Sequence, residues 1–146
     1  MLPQNLASIY KRDLTKLKEE IQAYHSENEM WKISGEIKNS GGNLTLHLIG
    51  NLNHFIGFAL GNTGYIRERE KEFSEKNIPV TKILVDIDNT ILMIEKTFFS
   101  MTEHDFQKKY PLSTPLKEPS VEEFMLHLHV HLNYHLGQIN YHRRLV

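Results

Sequence analysis

The chain contains no cysteine, which excludes disulfides, thiolate metal sites and a protein-borne cysteine nucleophile. Any thiol chemistry must therefore draw on a thiol from outside. No stretch approaches the roughly 18 consecutive apolar residues of a membrane span, and the opening Met1-Leu2-Pro3-Gln4-Asn5-Leu6 lacks the basic flank and apolar run of a signal peptide. A cytoplasmic protein without a membrane partner is the expectation. An excess of one charge is missing too. The 17 basic and 18 acidic residues leave a formal net charge of -1, without the field that steers a protein to nucleic acid or anionic lipid. The expected organisation is one domain over residues 1-146 with a single core, because a chain of this size buries about two thirds of its unfolded surface.

The sequence is instead rich in periodic apolar positions. Leu2, Leu6, Ile9, Leu14, Leu17, Ile21 and Tyr24 recur close to a three-four spacing, with Pro3 in the first turn, and predict a long amphipathic helix. Ser26 to Gly42 carry one apolar anchor, Trp31, and end in Asn39-Ser40-Gly41-Gly42, so a loop is expected there. Asn43 is placed to cap a second helix with a stripe of Leu44, Leu48, Leu52, Phe55, Ile56 and Ala59, ended by Gly61, Asn62 and Gly64. Gly50 and Gly57 inside it each cost up to about 1 kcal/mol of helix propensity, which close approach of a neighbouring helix would explain.

Residues 65-77 are charged and fit a short solvated helix or an ordered linker equally well. A third helix follows Pro79, with Ile83, Leu84, Ile87, Ile91, Ile94 and Phe98 at helical spacing. Its β-branched content admits a strand, but a length of about twenty residues favours helix. After the proline-containing stretch Tyr110 to Pro119, Ser120 and Glu123 form a capping box that opens a last helix running to Val146. Four principal helices without an internal repeat predict an all-α four-helix bundle.

Histidine is the anomaly: nine are present, five of them at positions 127, 129, 131, 135 and 142. Residues four apart on an α-helix lie about 40° apart around it and roughly 6 Å along it, so His131 and His135 can converge on one ion. A third ligand must come from another element, and the second helix offers His47 and, two turns later, His54. The competing reading makes each of these a hydrogen-bonded core histidine. His54, His127 and His142 are expected to pack or to support ligands from behind, while His25, His104 and His129 are expected at the surface.

The closing run His131-Leu-Asn-Tyr-His135-Leu-Gly-Gln-Ile139 resembles the last helix of DinB-like proteins, whose signature is a histidine pair four apart followed by a small residue, Gln and an aliphatic. Upstream, Asn43-Leu-Thr-Leu-His47-Leu-Ile-Gly-Asn51-Leu resembles the second-helix motif of a branch of unknown function that carries His-Leu-x-Gly-Asn. Arg67-Glu-Arg-Glu-Lys-Glu-Phe73 is similar to the Arg/Glu-Phe element that follows it. The resemblance covers nearly the whole chain. It implies an up-down-down-up four-helix bundle, often a homodimer, with nickel, zinc or a similar divalent metal ion on His47, His131 and His135. Related branches include transferases that use low-molecular-weight thiols and a thiol-dependent isomerase.

Three functions follow as expectations. In the first, a metal-dependent enzyme activates an external low-molecular-weight thiol and transfers it to an electrophilic small-molecule substrate. Gln138 and Asn51, each near a ligand on its own helix, would orient ligands or substrate, or would simply join helices by hydrogen bonds. Arg143 and Arg144 would hold the carboxylates of a peptidic thiol cofactor, or merely complement the helix dipole. In the second, the ion activates water for hydrolysis, with Glu95 as the carboxylate available for a base. The third is a non-enzymatic helical module that binds metal and dimerises. Imidazole ligands suit zinc, nickel, copper and iron alike, so the ligand set does not choose the metal.

Overall fold

In the computed structural model, which describes residues 1–146, the apolar periodicity of the first segment closes into α1 (Leu2–Gln22), burying Leu6, Tyr10, Leu14, Leu17 and Ile21 along one stripe. The stretch expected as a loop contains a short helix, α2 (Glu27–Met30), capped by Ser26. Its anchor is two residues wide, because Met30 is buried beside Trp31.

The next helix, α3 (Gly41–Leu52), starts earlier than its apolar pattern suggests. Ser40 is the cap, its hydroxyl accepting the backbone N–H of Asn43 at 3.1 Å. The two glycines that read as helix breakers are points of close approach. A Cβ on Gly41 would fall 1.9 Å from the Tyr24 hydroxyl, and one on Gly42 would fall 2.6 Å from the Trp31 ring. Asn43 thus serves tertiary structure rather than the cap. Its Nδ2 donates to the carbonyls of Glu72 and Glu75 at 3.0 and 2.8 Å, pinning α5 (Arg69–Ser74) to the start of α3.

Beyond Leu52 the helix widens into a π-helical segment, Asn53–Phe58, before α4 (Ala59–Gly61) ends at Asn62, which takes the left-handed cap conformation at φ 50°. Then come α6 (Val80–Phe99), α7 (Glu103–Gln107) and α8 (Val121–Leu145). The capping box at Ser120 and Glu123 forms as its sequence predicts. The chain is all-helical, with a lone β-bridge between Lys109 and Ser120 closing the proline-containing loop. No helix is long and apolar enough to cross a membrane.

Packing places α1 against α6 and α8, and α3 against α8, α6 and α5. The shared core includes Leu14, Leu17, Leu48, Leu52, Ile83, Ile87, Ile94, Leu132 and Ile139, all nearly or fully excluded from solvent. Along the α3–α8 seam, His47 meets His131 and His135, while Phe55, in the π-helical segment that continues α3, meets Phe124, earlier on α8. The two helices therefore run antiparallel.

Trp31 fixes the entry to α3 because Gly42 leaves room for its ring. Gly42→Ala gains about 1 kcal/mol of helix propensity but forces a methyl into the indole, and overpacking of this kind costs about 1–3 kcal/mol. A lowered thermal midpoint is expected. A midpoint raised by the substitution would show that the Trp31 contact gives way without loss.

Candidate metal centre

His47 lies on the face of α3 that turns toward α8, and its ring is buried at 6% exposure. His131 and His135 project from successive turns of α8 into the same seam. Their Nε2 atoms meet: His131 Nε2 stands 3.2 Å from that of His47 and 3.1 Å from that of His135. One nitrogen from each of the three rings falls within 4.8 Å of the others. Ligands at tetrahedral Zn–N distances are separated by about 3.3 Å, so the three rings stand close enough to hold one ion.

The far side of two of the rings fixes their tautomers. Nδ1–H of His47 donates to Glu72 Oε1 at 3.0 Å, and Nδ1–H of His135 donates to Gln138 Oε1 at 2.7 Å. Each ring therefore turns an Nε2 lone pair into the seam. His131 Nε2 has one proton at most and can donate it to only one of them. At least one lone pair is left facing the other nitrogens without a proton, an arrangement that a bound cation would resolve.

Glu72 is itself held. It receives Nε and Nη2 of Arg67, each at 2.9 Å, and fills the space in which a Cβ on Gly50 would sit, 1.9 Å from its Oε2. Burial pushes the Glu72 carboxyl up, but hydrogen bonds from His47 and Arg67 outweigh it and hold it below the ordinary range. Phe73 covers the His47 ring at a centroid distance of 4.9 Å. Burial and the neighbouring histidines lower His131 to about 4, and burial lowers His135 as well despite its bond to Gln138. Both are thereby kept neutral and able to coordinate.

A cleft of about 480 Å³ opens beside His135, lined by Lys38, Leu44, Tyr134, Gln138 and Tyr141 among others. That volume lies within the range of small-molecule sites, about 300–1,000 Å³.

The remaining sequence candidates distribute differently. His54 and His127 stay beside the seam, stacked on Phe58 and Phe124. His142 is buried and engaged at both nitrogens, with the Tyr24 hydroxyl at 2.7 Å and the Lys32 carbonyl at 2.9 Å. His129, expected at the surface, is half-buried and binds the buried Asp13 through Nε2 at 2.6 Å. Burial raises the Asp13 carboxyl, but bonds from Arg12, Asn133 and His129 prevail and lower it to about 2.

Gln138 bonds a histidine of its own helix rather than joining two helices. Arg143 pairs with Glu20 on α1, and Arg144 binds Asn140 and lies over Tyr141. Neither arginine lines the cleft beside His135. Glu95 pairs with Lys11 at 3.0 Å, between α6 and α1. Glu72 and its Arg67 clamp lie in the charged run at residues 65-77, whose sequence fits helix and linker equally well. The signal was Gly50, an otherwise unfavourable helix residue one turn from His47, which marks where another group comes close.

No protein-family model matches this chain, and no curated protein is significantly similar to it.

The depressed His131 generates a pH dependence with a defined sign. Unfolded, its imidazole takes a proton near 6.5, and folded only near about 4. Its contribution to stability is full above 6.5, falls as pH drops toward 4, and is lost below, because the unfolded chain binds the extra proton across that window. Denaturation of metal-free protein should show wild type losing stability relative to His131→Gln across this interval. Parallel pH profiles would show that His131 carries none of it.

Proposed function

We propose that this chain is a metal-dependent enzyme of the DinB-like type, an up-down-down-up four-helix bundle over residues 1-146 whose His47, His131 and His135 hold one divalent ion, nickel or zinc. The observation that carries the reading is the meeting of three Nε2 atoms with Glu72 and Gln138 behind two of the rings. Three neutral imidazoles leave the ion's full charge uncompensated and a coordination position open, so a bound thiol or water loses its proton readily. With no cysteine in the chain, the thiol is an external low-molecular-weight one, and a reducing cytoplasmic setting suits it.

The residues divide the remaining work. Glu72 and Gln138 hold two rings in the coordinating tautomer, and Arg67 keeps Glu72 ionised. Two edges of the Arg67 guanidinium are taken by Glu72, while Nη1 has no protein partner and keeps contact with solvent. Arg67 joins Arg143 and Arg144 as a cation suited to an acidic group on the thiol or the electrophile. The cleft beside His135, with Tyr134 and Tyr141, provides room for that substrate. Hydrolysis is less well served, because Glu95 is tied to Lys11 and Glu72 to His47 and Arg67.

Alanine at His47, His131 or His135 should abolish retention of zinc or nickel while circular dichroism keeps its helical signal, since the apolar core does not involve the ion. Alanine at His127 or His142 should leave metal bound. Equal loss from all five variants would overturn the ligand assignment, and unfolding of the three ligand variants would make the ion structural.

The same reading includes a two-fold homodimer. Leu126, Val130 and Leu145 are exposed on one face of α8, beside the histidine line, where a second copy would cover them while Tyr134 and Tyr141 stay on the cleft. Light scattering at micromolar concentration should give a dimer for the wild type and a monomer with metal retained for Val130→Glu. A monomeric wild type would remove the dimer and leave the metal centre standing.

A further inference from the structure

Two of the three ligand rings have an acceptor behind them and the third has none. His131 Nδ1 is buried without a partner, and so is Oδ1 of Asn51. Left unpaired, a buried polar atom bears its desolvation cost without compensation. The two are complementary, because a ring that coordinates through Nε2 carries its proton on Nδ1 and needs an acceptor, which an amide oxygen is.

Their positions agree with their chemistry. Asn51 follows His47 by one turn on the same face of α3 and is 6% exposed. Since His47 opposes His131 and Phe55 opposes Phe124, residue 51 stands level with the turn of α8 that precedes His131. Histidine side chains on a helix lean toward its N-terminus, so the His131 ring leans toward that level.

We infer that Asn51 is the outer acceptor of His131, its Oδ1 taking the Nδ1–H and fixing the tautomer that presents Nε2 to the ion. The inference rests on the metal-centre reading and extends it. Each ligand ring then has its own acceptor, Glu72 for His47, Gln138 for His135 and Asn51 for His131. Only the first is charged. Asn51 is a positioning residue, acting through His131 without touching the ion.

The test uses zinc affinity, measured by competition with a chromophoric chelator, together with long-range proton–nitrogen NMR of the metal-free protein to read the His131 tautomer. Asn51→Leu keeps the volume and removes the acceptor; Asn51→Asp keeps the acceptor. The leucine variant should bind zinc tenfold to a hundredfold more weakly, the range for lost outer-shell partners, and lose the Nδ1–H preference of His131. The aspartate variant should restore both. Should the leucine variant fail to fold, Asn51→Ala, which also removes the acceptor, takes its place with the same expectation.

Wild-type zinc affinity in the leucine variant, a His131 tautomer that ignores the substitution, or a failed rescue by aspartate each overturns the assignment. If the wild type itself binds no zinc or nickel, the metal-centre reading falls, and the tautomer spectra of the metal-free proteins alone decide the role of Asn51.

Discussion

The convergence of three imidazole nitrogens across the α3–α8 seam is the constraint around which the local structure is arranged. Lone pairs about 3 Å apart repel unless a proton or a cation lies between them, so the seam needs rigid backing to hold them there. The backing is the antiparallel pairing of α3 and α8, set by Leu48 and Leu52 on one helix and Leu132 and Ile139 on the other, all fully buried. Hydrophobic burial of this kind is non-directional and acts whether or not an ion is present. Stability and the chemistry of the site are in this way assigned to different atoms of the same two helices.

A chain of charge runs outward from one ring of the triad. His47 donates to Glu72, and Glu72 is clamped by Arg67, with Asn43 holding the carbonyl of Glu72 at the other end. A buried carboxylate alone would be unstable and would tend to protonate, which would weaken it as an acceptor. Arg67 prevents that, and the pair adds no net charge. The three imidazoles thus remain neutral as a set, the condition under which a bound ion would most strongly lower the pKa of what it holds. Gln138 does the corresponding work for His135 with a neutral amide, so the two sides of the centre differ in polarisation.

Much of this was legible in the sequence where the signal is periodic or local. The stripes of α1 and α6, the Ser120 capping box and the four-residue interval of His131 and His135 follow from helical geometry alone. What escaped was what depends on contacts distant in sequence. Gly41 and Gly42 read as breakers, because nothing local tells that Tyr24 and Trp31 will press on them. The run at residues 65-77 reads as solvated because six of its residues from Arg67 to Glu72 carry charge, although one of these, Glu72, is buried behind His47. The π-helical turn after Leu52 has no composition signature at all.

The histidines show why spacing alone does not assign a ligand. His135 and His142 lie two turns apart on the same helix and near one face, yet their second nitrogens meet different partners. His142 has both nitrogens taken, one by the Tyr24 hydroxyl and one by the Lys32 carbonyl, so no lone pair remains for an ion. Its bonds tie the segment before α3 to the end of α8. His129 is turned by about 160° from His131 around α8 and finds Asp13 on α1. His135 alone of these has its Nδ1 proton directed outward to an amide and its Nε2 directed to other imidazoles. A histidine is free to take an ion when its backing group is an acceptor and its other nitrogen faces further imidazoles. Both conditions are set by neighbouring helices, and only the four-residue interval is set by its own.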